Sequence, residues 1–378
     1  MSFYPRIIKE SVEKSLFKGK VIIIYGARQV GKTTLVKEIL KKHENESVYF
    51  NCEMLSVRQS LEIQDAVALN SFLGGYKLVV LDEAQHVQEI GKILKILVDT
   101  YPEIQIIATG SSSFDLANKT SEPLTGRAFR FTLSPLSLEE IKNSSNIIEL
   151  NAKLENILRF GTYPEVFFSS QENAVAKLDE IASNYLYKDV LMFDGVKKST
   201  IVTKLLQLLA LQIGNEVSYS ELATVLGISR ITVEKYVDLL EKCFVIFTLR
   251  SLSRNRRKEI SKSVKIYFYD LGIRNSLIQN YNNMNVRNDI GALWENLMII
   301  EKIKKNKYHG IYSNLYFWRT YDQKEIDLVE ELDGKFLAFE FKWKQDKVKE
   351  PKEFLSNYPN SEFQIVNREN YWKFLFEL

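Results

Sequence analysis

The chain has 378 residues, 45% of them apolar and 26% charged, with a net charge of +3. That length and balance describe a globular protein with room for two or three cores, and exclude a disordered or fibrous chain. Its apolar runs are strand-sized and its N-terminus lacks an apolar leader, so neither a membrane span nor secretion is expected.

From about residue 20 to 133, short apolar runs alternate with helical patterns. The predicted strands cover residues 21–25, 47–52, 78–81, 105–109 and 129–133. Near-continuous apolar strands separated by helices predict an α/β fold whose parallel sheet is buried on both faces. The first strand feeds Gly26, Ala27, Arg28, Gln29, Val30, Gly31, Lys32 and Thr33, followed by Thr34, which is the GxxxxGK[ST] pattern. Its glycines let the backbone wrap phosphates closely, and its N–H groups and the helix N-terminus beyond supply positive potential. Lys32 is expected on the β- and γ-phosphates and Thr33 on Mg²⁺; Arg28 and Gln29 either touch phosphate or cover it. ATP and Mg²⁺ are the expected ligands.

The strand at 78–81 delivers Asp82 and Glu83. Asp82 suits the Mg²⁺ and Glu83 the polarisation of the attacking water. The next strand ends in hydroxyls, which place Thr109 or Ser111 at a γ-phosphate-sensing position. Arg127, ahead of the strand at 129–133, is read either as an arginine finger or as a surface ion pair. The finger could act in its own chain or in a neighbouring subunit, which would imply a homo-oligomer.

Residues 137–195 read as helical, broken at Gly161-Thr-Tyr-Pro164, and are expected to form a lid and connector. Residues 220–240 read as helix–turn–helix: Leu222, Ala223 and Leu226 form an apolar face, Gly227 turns the chain, and Ser229 caps the second helix. Val233, Val237 and Leu240 pack that helix inward, and the β-like run after it completes a winged helix. Acids Glu234, Asp238 and Glu241 offset Arg230, Lys235 and Lys242 along the helix, which weakens the case for DNA there. A stronger DNA signal is the stretch 250–265. Arg250, Arg254, Arg256, Arg257, Lys258, Lys262 and Lys265 face only Glu259, so it carries +6 and the rest of the chain −3. The alternatives are a solvated loop or a contact with the ATPase domain, and a winged helix also serves protein partners.

A strand at 265–269 and a helix carrying Glu295 follow, then strands near 315–318, 325–329 and 336–343. Asp327 lies in the second of these last three, with Glu340 and Lys342 on one face of the third. Asp327 and Glu340 could hold Mg²⁺ through oxygen, with Glu295 as a further acid and Lys342 orienting the attacking water. The plain alternative is a half-exposed strand with an i,i+2 ion pair. The two cysteines, Cys52 and Cys243, have no CxxC spacing, which predicts no zinc site or disulfide and fits a cytoplasmic protein.

The order of motifs is similar to that of prokaryotic AAA-type P-loop ATPases with a C-terminal domain of unknown function. The matching residues are Tyr4-Pro-Arg6, residues 26–34, Leu81-Asp-Glu-Ala-Gln85, Thr109-Gly-Ser-Ser112, Leu124-Thr-Gly-Arg127 and Pro135-Leu-Ser137. They continue with Gly161-Thr-Tyr-Pro-Glu165, Tyr267-Phe-Tyr-Asp-Leu-Gly272, Tyr316-Phe-Trp-Arg319, Glu325-Ile-Asp327 and Glu340-Phe-Lys342. The resemblance implies an AAA-like domain with a helical lid, then a winged helix paired with a restriction-endonuclease-like PD-(D/E)xK fold. The expected division is 1–137 for the ATPase domain, 138–195 for lid and connector, 196–268 for the winged helix and 269–378 for the nuclease-like domain. The expected function is an Mg²⁺-dependent ATPase acting as a nucleotide-driven switch on DNA. The alternatives are a slow-turnover, nucleotide-gated module for protein partners, and an ATP-controlled metal-dependent nuclease.

Overall fold

The computed structural model describes residues 4–111, 124–191, 199–253, 264–320, 322–345 and 348–377. The chain divides into two compact units. The first is Met1–Leu136 with Tyr185–Val196 and Lys242–Phe244; the second is Ser137–Asn184, Lys197–Glu241 and Val245–Leu378.

The first unit runs α1 (Ile8–Lys14), β1 (Val21–Tyr25), α2 (Lys32–Leu40), β2 (Ser47–Asn51), α3 (Leu55–Leu61), α4 (Ala66–Leu73), β3 (Leu78–Asp82), α5 (Ile90–Thr100), β4 (Gln105–Gly110) and β5 (Ala128–Thr132). Its sheet has the order β2-β3-β4-β1-β5, and every pairing is parallel. The three inner strands, VIIIY, LVVLD and QIIATG, are buried at every position, as a sheet covered on both faces requires. Ile22, Ile23 and Ile24 are each 0% exposed; burying a side chain of this kind is worth roughly 1.5–3 kcal/mol. The edge strands β2 and β5 are only half-buried. Ile90, Ile93, Leu94 and Leu97 along α5 pack into the same core as Val79, Leu81 and Ile106, the i, i+3, i+4, i+7 spacing of one helix face.

Because the strands are parallel, their carboxyl ends share one edge. Tyr25, Asp82 and Gly110 end neighbouring strands there, with β4 between β1 and β3. That edge is where an open α/β sheet places its ligand.

The second unit begins with α6 (Leu138–Asn143), entered through a capping box between Ser137 and Glu140. There follow α7 (Ile147–Phe160), α8 (Pro164–Phe167), α9 (Gln171–Leu191), α10 (Ser199–Leu211), β6 (Glu216–Val217), α11 (Tyr219–Leu226), α12 (Arg230–Lys242), β7 (Ile246–Ser251), β8 (Val264–Phe268), α13 (Leu271–Leu277) and α14 (Ile290–Tyr308). The chain finishes with β9 (Asn314–Arg319), β10 (Glu325–Leu332), β11 (Lys335–Phe341), α15 (Lys352–Asn357), β12 (Ser361–Val366) and α16 (Tyr371–Phe376). The strands form one mixed sheet in the order β12-β11-β10-β9-β7-β8-β6.

The expected boundary at 268/269 therefore falls inside a continuous sheet. β7 pairs with β9 in parallel, Arg250 against Tyr316 and Ser251 against Phe317, and the Leu252 N–H donates to the Phe317 carbonyl at 2.7 Å. The expected connector is also divided, its first part lying in the second unit and Tyr185–Val196 in the first.

Two distant motifs meet in this unit. Asp270 caps α13 by accepting from the Ile273 N–H at 3.1 Å, and accepts from the Thr162 N–H at 2.7 Å. A Cβ on Gly161, whose φ is +73°, would sit 2.1 Å from the Asp270 Oδ1. The Gly161-Thr-Tyr-Pro164 break thus wraps the cap of a helix more than a hundred residues on. Among the described residues no helix is long and apolar enough to cross a membrane.

Candidate nucleotide site and a second acidic cluster

β1 delivers the chain to Gly26 at the ligand-bearing edge. A Cβ there would lie 2.2 Å from the Leu133 carbonyl oxygen, so only glycine lets the loop lie this close to the strand end. Gly31, with φ +100°, turns the chain into α2. Lys32 is 4% exposed, and its ammonium donates to the carbonyls of Gly26 and Ala27 at 2.9 and 3.0 Å. The loop is thus curled around its own lysine. Arg28 is half-buried, while Gln29 and Thr34 are exposed.

Asp82 is the hub of the site. Its carboxylate accepts from the Thr33 hydroxyl at 2.7 Å, from the Tyr49 hydroxyl at 2.5 Å and from the Thr109 hydroxyl. Burial and the Asp82 charge push the Tyr49 phenol well above its ordinary range, so it stays a donor. Burial, with Asp82 and Glu83 nearby, likewise pushes the Cys52 thiol up to about 12 and leaves it inert. Glu83 is held at φ +53°, with its N–H donating to the Thr109 Oγ1 at 3.1 Å. Its carboxylate accepts from the Gln85 amide at 2.5 Å and lies 3.9 Å from the Lys32 ammonium. A non-glycine residue in the left-handed region is strained backbone of the sort that gathers at functional sites.

Thr33, Lys32, Asp82, Glu83 and Thr109 are therefore brought together. Ser111 is buried just beyond the end of β4, and Ser112 lies outside the described residues. Thr109 bonds both Asp82 and the Glu83 backbone, while the γ-phosphate-sensing position was expected of either Thr109 or Ser111.

Arg127 is placed elsewhere. The Val21 N–H donates to its carbonyl at 2.9 Å, and Ala128 pairs with Val21. Arg127 is thus at the amino edge of the sheet, about 13 Å of strand away from the loop. Its guanidinium pairs with Asp99 at 2.6 Å on a partly exposed surface. The surface-pair alternative describes its position in this chain, and a finger acting in the same chain does not.

Two contributors were missed from sequence. Arg6 is 5% exposed and bridges the loop to the segment after β5, donating to the Val30 carbonyl at 2.7 Å and the Ser134 carbonyl at 2.5 Å. Tyr49 is the other. Nothing separates a tyrosine in a half-buried edge strand from an ordinary β-former, whereas Arg6 stands in the Tyr4-Pro-Arg6 motif, a usable signal.

The residues present fit a nucleoside triphosphate with Mg²⁺. The loop tolerates no side chain at Gly26, the Lys32 ammonium lies inside the loop on the Gly26 and Ala27 carbonyls, and the Thr33 hydroxyl already sits against Asp82.

In the second unit, Asp327 feels the charges of both Glu295 and Glu340, and Glu340 pairs with Lys342, but Glu295 is also bonded to a residue the sequence placed elsewhere. Lys265, counted among the cations for a nucleic-acid backbone, is 1% exposed and turned inward. Its ammonium pairs with Glu295 at 3.1 Å and with Glu325, and lies 5.6 Å from the centre of the Phe317 ring. Burial alone would lower its pKa, yet the charges of Glu295, Asp327 and Glu325 outweigh that and raise it. Burial, then the charges of Glu295 and Glu340, push the Asp327 carboxyl well above the usual range. Of the rest of the basic stretch, Arg250 is exposed on β7, and residues 254–263 lie outside the described residues.

The helix pair α11–α12 follows expectation at its core, with Leu222, Val233, Val237 and Leu240 buried and Ser229 capping α12 through the Thr232 N–H at 3.1 Å. Glu241 is taken up internally, accepting from the Thr248 N–H and hydroxyl at 2.6 and 2.7 Å. It therefore does not oppose a phosphate on the helix surface, whereas Arg230 is paired with Glu234 at 2.9 Å.

Comparison with known proteins bears on the same residues. The pattern of an AAA domain matches residues 18–142, the first unit's sheet and loop. Two domains of unknown function follow, DUF8612 over residues 151–284 and DUF4143 over residues 290–372. An uncharacterized protein of Mycobacterium tuberculosis is 28% identical over 334 residues, covering 88% of this chain and 72% of that one. Another, from Methanocaldococcus jannaschii, is 30% identical over 312 residues, covering 72% and 65% respectively. Among solved structures, the Thermotoga maritima RuvB Holliday junction branch migration motor aligns over 67% of this chain and 93% of its own, at 18% identity. Its TM-score is 0.32.

Proposed function

We propose that the chain is a magnesium-dependent ATPase of the AAA type, working as a nucleotide-driven switch on DNA. The observation that carries this is the Gly26–Thr33 loop curled around Lys32, with the Thr33 hydroxyl 2.7 Å from Asp82. The loop N–H groups and Lys32 would hold the phosphates, Thr33 and Asp82 the magnesium, and Glu83 would take a proton from water. Bound Mg²⁺-ATP supplies the electrophilic phosphorus and the divalent charge. Tyr49 and Thr109 keep Asp82 aimed, Thr109 ties the Glu83 backbone to the same carboxylate, and Arg6 fixes the loop.

The DNA part rests on the second unit. In this reading α11 and α12, with β6, β7 and β8, serve as a winged helix, and β9 to β12 as the core of a restriction-endonuclease-like fold. Exposed Arg250 begins the basic stretch and suits a phosphate backbone. The test is ATP turnover with and without duplex, single-stranded and branched DNA. Wild type should be stimulated by DNA, Lys32→Ala should lose turnover, and Glu83→Gln should bind ATP yet turn over about 10²-fold slower or worse. A DNA-blind wild type would remove the switch on DNA, and turnover unchanged in Lys32→Ala would remove the site.

A second reading is a slow, nucleotide-gated module for protein partners. It is favoured by the closed arrangement of Lys32, engaged with loop carbonyls and 3.9 Å from Glu83, itself held by Gln85. Barely measurable turnover, with partner capture that depends on the bound nucleotide, would support it.

A further inference from the structure

We propose that the Lys265 ammonium is the resident cation of the acidic cluster in the second unit. It stands in for the divalent metal of a phosphodiesterase site, so this unit neither takes up a metal nor cuts DNA. Every carboxylate of the cluster already has a partner from the chain. Glu295 accepts from the Tyr267 hydroxyl at 2.5 Å and pairs with Lys265 at 3.1 Å. Glu325 pairs with the same ammonium and lies 3.6 Å from the Arg319 guanidinium. Glu340 is held by Lys342 at 2.8 Å, and Asp327 accepts from the Phe341 N–H at 2.8 Å.

A magnesium or manganese ion needs several of these oxygens at about 2.0–2.2 Å. It would have to enter beside two ammonium groups, Lys342 bonded to Glu340 and Lys265 bonded to Glu295 and within the field of Asp327, and like charges at short range repel strongly in a buried site. Lys265 cannot readily step aside, because its side chain is 1% exposed and its strand is paired on both sides, with β7 and with the short edge strand β6. Its two acid partners come from α14 and β10, so the internal cation ties three elements together. Among the described residues, no three histidine, cysteine, aspartate or glutamate side chains are arranged to hold a metal ion. The predicted metal pair Asp327 and Glu340 and the helper Lys342 thus belong to a closed, charge-compensated cluster.

The test uses the full chain, free of nucleotide and carrying Thr33→Ala to remove the P-loop hydroxyl, titrated with Mn²⁺ while free Mn²⁺ is followed by electron paramagnetic resonance. No saturable uptake is expected up to millimolar Mn²⁺, and neither Mn²⁺ nor EDTA should shift the thermal midpoint. Lys265→Met should lower that midpoint by roughly 5 °C, since two half-buried acids lose their buried cation, and should make it respond to Mn²⁺. One Mn²⁺ bound per chain and lost in Asp327→Asn would overturn the proposal. So would Mn²⁺-dependent nicking of supercoiled DNA that Asp327→Asn abolishes, or a midpoint unmoved in Lys265→Met. If Lys265→Met does not fold, the titration and the nicking assay decide without it.

Discussion

Arg6 holds two backbone carbonyls, one inside the phosphate loop and one after β5, from a position 5% exposed. Removing it leaves both acceptors short of a charged donor, a cost of about 1–3 kcal/mol each where no water replaces it. Arg6→Ala is therefore expected to weaken ATP binding roughly tenfold, with Arg6→Lys recovering part. Equal nucleotide affinity in all three proteins, measured by calorimetry, would show that Arg6 does not position the loop. At Asp327 the expectation concerns pH. A carboxyl raised by burial keeps its proton in the folded chain after the unfolded chain has lost it, near pH 4. Stability should accordingly fall as pH rises from there through the folded value. Asp327→Asn keeps an acceptor for the Phe341 N–H and should flatten that slope, and denaturation midpoints across pH 4 to 8 would show an unchanged slope if this is wrong. Residue identity alone could not reveal Lys265. In the sequence it closes a run of cations, and only the pairing of β8 beside β7 turns it inward to Glu295 and Glu325.

At the scale of elements, legibility followed how much of the signal was local. β1, β3 and β4 were predicted within a residue or so, because a strand buried on both faces is an unbroken apolar run. The phosphate loop was legible because its glycines and lysine are consecutive. β6, two residues long, and β12, which follows a short helix, carry too little pattern to stand out. The β7–β9 pairing that joins the expected winged helix to the C-terminal strands is invisible in sequence, since pairing partners more than sixty residues apart leave no local mark. Similarly, Gly161 reads as a helix breaker, while the structure gives it a second duty against Asp270. A side chain there would collide with the carboxylate at 2.1 Å in a left-handed backbone conformation. Gly161→Ala should cost about 2 kcal/mol or more through strain and a displaced cap. A urea midpoint equal to wild type would refute that role, and Gly126→Ala, where nothing lies within 4 Å, serves as the control for positive φ alone.

For the whole molecule, a parallel sheet supplies the geometry of one site, while a mixed sheet in the second unit encloses a cluster of acids with its own lysine. The first arrangement leaves a charged lysine and a hydroxyl–carboxylate pair at a strand edge; the second satisfies its charges internally. Chemistry is therefore expected from the first unit and its consequences from the second. The most direct test is a calorimetric titration of the folded full chain with ATP in the presence of Mg²⁺. Saturable heat at about one ATP per chain, lost in Lys32→Ala, is the expected result. Folded wild-type chain giving no heat at millimolar ATP and Mg²⁺, or giving the same heat as Lys32→Ala, would contradict it.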